Sequence, residues 1–328
     1  MIEVEHLSKL YGSTPAISDV TFSVEPGEIL GFLGPNGAGK TTTMRILSGY
    51  LPATQGTAKI AGFEVHEDSM AVRQRIGYLP ETPPLYPDMT VEGYLNFVAQ
   101  LKGVNAGDRP QRIQSALTRC NLTEKHKTII RKLSKGFRQR VGIAQAIVHD
   151  PPVIILDEPT VGLDPRQIIE VRNLIKNLAG DHTVILSTHI LPEVSMTCSR
   201  VAIINRGQVV ATNTPENLMA QLMGGVGYEL EVDGQLADIQ RCLQSVVGVK
   251  AVELMANQLV QNRLTLKVIS ASENELGREI AATLVGHGFG LYEMRRVQAS
   301  LETVFLQLTT EEKPVDTNSE LEPEETAE

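Results

Sequence analysis

An excess of basic residues, paired cysteines and long apolar runs are all missing from this 328-residue chain, and each absence removes a class of function. Lys and Arg number 30 against 39 Asp and Glu, a formal net charge of -9. The acidic surplus is concentrated, because residues 311–328 hold eight acids and one lysine and leave the rest of the chain close to neutral. Nothing in that balance has the basic footprint of a nucleic-acid binder. The three cysteines, Cys120, Cys198 and Cys242, are far apart and odd in number. They show no metal-ligand spacing, and a reducing compartment fits them best. The longest apolar runs, such as Val153–Leu156, fall far short of the roughly 18 residues that a membrane-spanning helix needs. The start, MIEVEHLSKLYG, is acidic and patterned as a strand rather than as a signal peptide. A soluble, cytoplasmic chain is expected, with any membrane role running through a partner.

What is present suffices for two packed units. An apolar fraction of 42% supplies a core, and the length exceeds one typical domain. Short strands are predicted over IEVEHL, AISDVTFSV and, after the Pro26-Gly27 turn, EILGFLG. Lys40 to about Leu51 has helical character, and Lys59–Phe63 and Arg75–Leu79 read as strands. Apolar residues at helical spacing over 90–103, 110–121 and 136–149 predict a helical subdomain at about 82–150. Val153–Leu156, bounded by Pro152 and two acids, has the pattern of a buried parallel strand. A helix at about 165–179, a buried strand at Thr183–Ser187 and a strand pair near 201–210 complete a unit spanning 1–222. Met223–Gly227 reads as a linker. A strand–helix–strand–strand–helix–strand order then predicts a small ferredoxin-like or similar α+β module over 226–309, ending in an amphipathic helix at 300–309. The Pro- and Glu-rich segment 310–328 is expected to be disordered.

The chemistry starts at GPNGAGKTT, residues Gly34, Pro35, Asn36, Gly37, Ala38, Gly39, Lys40, Thr41 and Thr42. This loop follows a predicted strand and opens a predicted helix, which is the context a phosphate cradle requires. Without Cβ atoms at the glycines, backbone N–H groups can wrap phosphates closely, and the helix aims its positive end at the same charge. Lys40 is placed to reach the β- and γ-phosphates and Thr41 to ligate Mg²⁺. Alone, the loop fits kinases, GTPases and transport ATPases equally. Asp157 and Glu158 narrow the choice, because they end the buried strand at the edge where α/β sheets bind ligands. Asp157 suits the Mg²⁺ shell and Glu158 the polarisation of an attacking water.

A third motif, Leu133-Ser134-Lys135-Gly136-Phe137-Arg138-Gln139-Arg140, resembles the LSGGQ signature of ATP-binding-cassette (ABC) ATPases and lies just upstream of the acid pair. Read physically, Ser134 can cap a helix whose first amides, with Gly136, form a second phosphate-binding surface. Gly162-Leu163-Asp164 resembles the family's D-loop, His189 its switch histidine and Tyr11 the aromatic that stacks on adenine. The resemblance covers residues 1 to about 222 and implies a P-loop NTPase cassette: an α/β fold with a mixed sheet core, an antiparallel β subdomain and a helical subdomain. ATP and Mg²⁺ are the implied cofactors. The implied partners are a transmembrane permease subunit and a second copy of the chain, with Ser134 and Gly136 of one copy closing over the ATP held by Lys40 of the other. Two motifs depart from the pattern. Glu81 stands where the family's Mg²⁺-sensing Gln is usual, and Lys135 and Phe137 replace a glycine and a glutamine of the signature. YLPE and LSKGFRQR are similar to the exporter branch that includes drug, polysaccharide and gliding-motility ATPases. The alternative, a soluble ABC ATPase of ribosomes or nucleic acid, is disfavoured by the single P-loop and by the lack of heptads, a cysteine cluster or a basic patch.

Overall fold

The computed structural model describes residues 1–222, 227–255, 263–270, 276–297 and 301–310. The acidic segment 311–328 and residues 223–226 of the expected linker lie outside the described residues. The chain begins with β1 (Ile2–Tyr11), β2 (Thr14–Val24) and β3 (Ile29–Leu33), then α1 (Lys40–Leu47) and the hairpin β4 (Gln55–Ile60) and β5 (Phe63–Glu64). Next come α2 (Ser69–Arg75), β6 (Ile76–Leu79), and the helices α3 (Val91–Leu101), α4 (Arg109–Arg119) and α5 (Lys135–Ile147). β7 (Val153–Asp157), α6 (Pro165–Lys176), β8 (Thr183–Thr188), α7 (Leu191–Thr197), β9 (Arg200–Asn205), β10 (Gln208–Asn213) and α8 (Pro215–Leu222) follow. The remaining elements are β11 (Gly227–Asp233), α9 (Leu236–Gln244), β12 (Val249–Leu254), β13 (Arg263–Ser270), α10 (Gly277–Gly286), β14 (Leu291–Val297) and α11 (Leu301–Thr310).

A six-stranded sheet in the order β10-β9-β3-β8-β7-β6 is parallel except at β10. Its inner strands are apolar throughout because both faces are covered, and successive side chains divide between two cores. Ile154 and Leu156 of β7 join the helical side, while Val153 and Ile155 join the side facing a second, antiparallel sheet ordered β2-β1-β4-β5. β8 divides the same way, Val184 and Leu186 opposite Ile185. This matches the expected mixed core, antiparallel β layer and helical layer. The expected strand over Lys59–Phe63 is instead broken at Ala61 and Gly62, whose φ values of 51° and 85° make a tight hairpin turn between β4 and β5.

The helical subdomain packs α3, α4 and α5 through Tyr94, Leu95, Ile113, Leu117 and Val141. Side-chain caps set two of its helix starts. Thr90 accepts from Gly93 N at 3.1 Å for α3, and Ser134 accepts from Phe137 N at 3.4 Å for α5. Beyond residue 226, β12-β13-β11-β14 form an all-antiparallel sheet with α9 and α10 on one face, the strand order of a ferredoxin-like module. Its core, built on Leu230, Val232, Leu243, Leu266 and Ile280, is separate from the other two.

The last helix does not belong where the sequence pattern grouped it. Leu301 and Val304 of α11 are buried in the helical-side core of the first unit, and Asn205 Nδ2 donates to the carbonyls of Leu308 and Thr309 at 3.4 Å each. An amphipathic face specifies burial but not against what, so the chain returns to the cassette after the module. Among the described residues, no helix is long and apolar enough to cross a membrane. All three cysteines are free and buried.

Candidate active site

Strand register assembles the site. In the parallel pairs Leu33 sits beside Thr188 and Ser187 beside Asp157, so β3, β8 and β7 end along one edge of the sheet. Leu79 pairs with Leu156, which delivers the chain after β6 to the same edge. The glycine-rich loop leaves β3 there, Glu158 leaves β7, His189 leaves β8 and Glu81 follows β6. A cleft of about 460 Å³ results, lined by Ala16, Asn36, Gly37, Gly39, Lys40, Thr41, Thr42, Glu81, Glu158, Val161 and His189.

Close packing under the loop demands glycine. A Cβ on Gly34 would meet Ile204 O at 2.4 Å, and one on Gly39, whose φ is 107°, would meet Ile17 Cγ2 at 2.5 Å. Gly37, by contrast, faces open space at φ 79°. Lys40 is only 6% exposed, and its ammonium donates to Gly34 O at 2.8 Å and Pro35 O at 3.2 Å. It also lies 3.4 Å from Glu158 Oε1, an ion pair buried on both sides. Ala38 is buried and its carbonyl accepts from Gly207 N at 3.0 Å, which ties the loop to the β9–β10 turn.

Glu158 sits at φ 50°, a left-handed conformation that costs a non-glycine residue on the order of 1–3 kcal/mol. The strain is held by its amide, which donates to both the carbonyl and the hydroxyl of Ser187 at 3.1 Å. On the other side, His189 Nδ1 is 2.9 Å from Glu158 Oε2. A carboxylate can only accept, so that ring nitrogen carries the proton. Asp157 is fully buried; its Oδ1 accepts from Ser187 Oγ at 2.5 Å and Thr41 Oγ1 at 3.4 Å, while its Oδ2 has no partner. Burial raises the Asp157 carboxyl above the usual range. The bonds from Ser187 and Thr41 oppose that rise, and the charges of Glu158 and Glu81 reinforce it.

Four sequence candidates lie apart from this cleft. Ser134 and Asp164 cap the starts of α5 and α6, Asp164 Oδ1 accepting from Gln167 N at 3.0 Å. Gly136 is buried beneath the Gln167 side chain, where a Cβ would meet Oε1 at 2.4 Å. Tyr11 ends β1 half-exposed, with Lys9 Nζ 5.7 Å from its ring centroid, and is not among the lining residues. Sequence reasoning missed Ser187, Ala16 and Val161. Only Ser187 left a signal, as a hydroxyl directly after the apolar run Val184–Leu186 and two residues before the histidine.

A glycine loop, an acid pair and a histidine meeting at one parallel sheet edge define a P-loop nucleotide hydrolase of the cassette type. Comparison matches residues 17–161 to the ABC transporter family. Over 312 residues the chain is 32% identical to the linearmycin resistance ATP-binding protein LnrL of Bacillus subtilis (strain 168), spanning 94% of this chain and 98% of that one. It is 38% identical over 212 residues to the bacitracin transport ATP-binding protein BcrA of Bacillus licheniformis, spanning 64% and 68%. A solved ATP-binding subunit of an ABC transporter shares 32% identity at a TM-score of 0.62, over 67% of this chain and 92% of that chain. A dimeric bacterial ABC transporter cassette shares 25% at 0.60, over 65% and 98%. The chain belongs to the ABC transporter ATP-binding family, and its cassette is an ATPase.

Proposed function

We propose that the chain powers an exporter: it binds and hydrolyses ATP as a pair of copies and passes the resulting motion to a separate transmembrane permease at the inner face of the membrane. The observation that carries this reading is the division of the candidate residues into two groups. Lys40, Thr41, Glu81, Glu158 and His189 line one cleft with Asp157 bonded to Thr41 behind it, while Ser134, Gly136 and Asp164 stand at two other helix starts. A second copy, presenting its Ser134 and Gly136 to the first copy's cleft, would complete the site. Export is supported by relatives named for linearmycin resistance, bacitracin transport and Nod factor export.

Lys40 and the amides of Gly37 through Thr42 neutralise the β- and γ-phosphates. Tyr11 is assigned to the adenine. The Glu158 carboxylate accepts a proton from the attacking water, and His189 holds that carboxylate and faces the γ-phosphate. The unpartnered Asp157 Oδ2 with Thr41 Oγ1 and Glu81 fits Mg²⁺, whose ordinary site joins one or two carboxylates to substrate phosphates and water. Among the described residues no group of three or more His, Cys, Asp or Glu could hold a metal by itself. When bound, the ion neutralises charge on the phosphates. The test is Glu158→Gln, which should lower hydrolysis at least about 100-fold while ATP still drives the monomer to a dimer in size-exclusion chromatography. Hydrolysis at the wild-type rate refutes the role of Glu158, and an ATP-loaded monomer refutes the pair.

A further inference from the structure

The near-neutral balance of residues 1–310 conceals a local concentration of positive charge. Between Thr123 and Arg140 stand seven Lys or Arg and a single acid, Glu124. Lys127, Arg131, Lys132 and Lys135 are exposed on the helical subdomain, with Arg138 half-buried beside them. Arg131 is paired with Asp88 at 2.7 Å, and the buried Arg140 is paired with Glu170. Lys127, Lys132 and Lys135 have no ion-pair partner among the described residues. The near-neutral average hides this surface because the remainder of residues 1–310 carries a net charge of -8.

A separate concentration of negative charge, net -7, is residues 311–328, which follow helix α11 in the chain. Helix α11 ends against Asn205, which donates to Leu308 O and Thr309 O. Asn205 begins the β9–β10 turn, whose Gly207 donates to Ala38 of the glycine-rich loop and packs on Ala16, a wall of the nucleotide cleft. Helix α11, after which the acidic segment follows in the chain, therefore ends against the turn that touches the glycine-rich loop. Eighteen residues at roughly 3.3–3.6 Å each can reach about 60 Å, ample to cross to a facing molecule.

We infer that the exposed basic surface of residues 123–140 is a docking site for the acidic segment 311–328 of a second copy of the chain. This rests on the pairing proposed above, in which the loop of one copy faces Ser134 of the other; Ser134 lies within the basic stretch itself. The contact is reciprocal, so a pair makes it twice. It is a charge-against-charge attraction at the surface that steers and holds the two copies while the ATP sites close, and salt weakens it.

The experiment uses full-length Glu158→Gln chains and measures the dimer dissociation constant at saturating ATP by analytical ultracentrifugation. Changing all eight acids of 311–328 to Asn or Gln should weaken the dimer about 5- to 10-fold at 50 mM salt and leave it unchanged near 0.5 M. Lys127→Glu with Lys132→Glu should do the same, and combining both sets should add nothing further. Reversing both, with lysines for the acids of the segment, should restore the constant. A Glu158→Gln chain that fails to dimerise with ATP refutes the pairing and this contact together. A dimer that forms but ignores the segment's charge overturns the contact alone. So does binding of the Lys127/Lys132 surface to vesicles containing anionic lipid, if dimerisation is unaffected.

Discussion

Asp157→Asn should make the nucleotide-free protein more stable and the nucleotide-bound protein less so. The carboxylate is fully buried with one oxygen unpartnered, and burial together with Glu158 and Glu81 keeps its pKa above the ordinary value. The sign follows from linkage. An acid whose pKa rises on folding pays no penalty below its unfolded pKa. The penalty grows as pH climbs from the unfolded value toward the raised folded one, so it is larger at pH 7 than at pH 4.5. An unsatisfied buried polar atom costs about 1–3 kcal/mol. Neutralising the group recovers the lower part of that range, since the amide keeps an acceptor for Ser187 but leaves an N–H in the same hole. About 1 kcal/mol corresponds to a Tm gain of roughly 2–4 °C in a domain of this size. With Mg·ATP at 100 times its Kd the wild type gains about 2.7 kcal/mol, whereas the variant should gain little. Melting curves with and without Mg·ATP, at pH 7 and pH 4.5, read all of this. The nucleotide-free gain should appear at pH 7 and shrink at pH 4.5. A lower nucleotide-free Tm at pH 7, or a wild-type response to Mg·ATP, refutes the reasoning.

Three further outcomes are expected. Ser187→Ala removes the bonds that hold Asp157 and the strained Glu158 backbone; with about 1.5–3 kcal/mol at stake, kcat should fall roughly 10- to 100-fold while ATP affinity, read by equilibrium binding, changes far less. Leu301→Ala, at a site 3% exposed, should cost about 2–5 kcal/mol and lower the transition that ATP protects rather than a separate module transition. Burial, with Lys102 second, pushes the His149 imidazole down to about 4, and its Nε2 lies 3.0 Å from Ile76 O. The fold then loses stability as pH drops from the ordinary histidine value toward 4, and His149→Gln should flatten that slope in urea midpoints at pH 7 and pH 5.

The parts of the site legible in the sequence were those fixed by local pattern. Gly34–Thr42 and Asp157-Glu158 could be read because a loop after one buried strand and acids at the end of another must share a sheet edge. Ser187 could not, since its role depends on β8 lying between β3 and β7, a strand order no local pattern encodes. Ala61-Gly62 escaped because a non-glycine left-handed residue gives little warning. Helix α11 was recognised as a helix, yet its allegiance was set by tertiary packing of Leu301 and Val304. The basic surface vanished in the average for a different reason: net charge cannot see a local basic cluster offset by acids spread over the rest of the chain.

The return of α11 also changes what kind of part the module is. Its first and last described residues, Gly227 and Val297, are register partners on neighbouring strands. Helices α8 and α11, before and after it, pack together on the cassette. The module thus enters and leaves through a single doorway, as a side chapel does, and the main hall is finished only afterwards. Cutting the chain at residue 226 would take away part of the cassette's own wall. Splicing residue 222 to residue 301 through a short bridge would lift the module out whole, and an unrelated domain with adjacent ends could be fitted in the same opening.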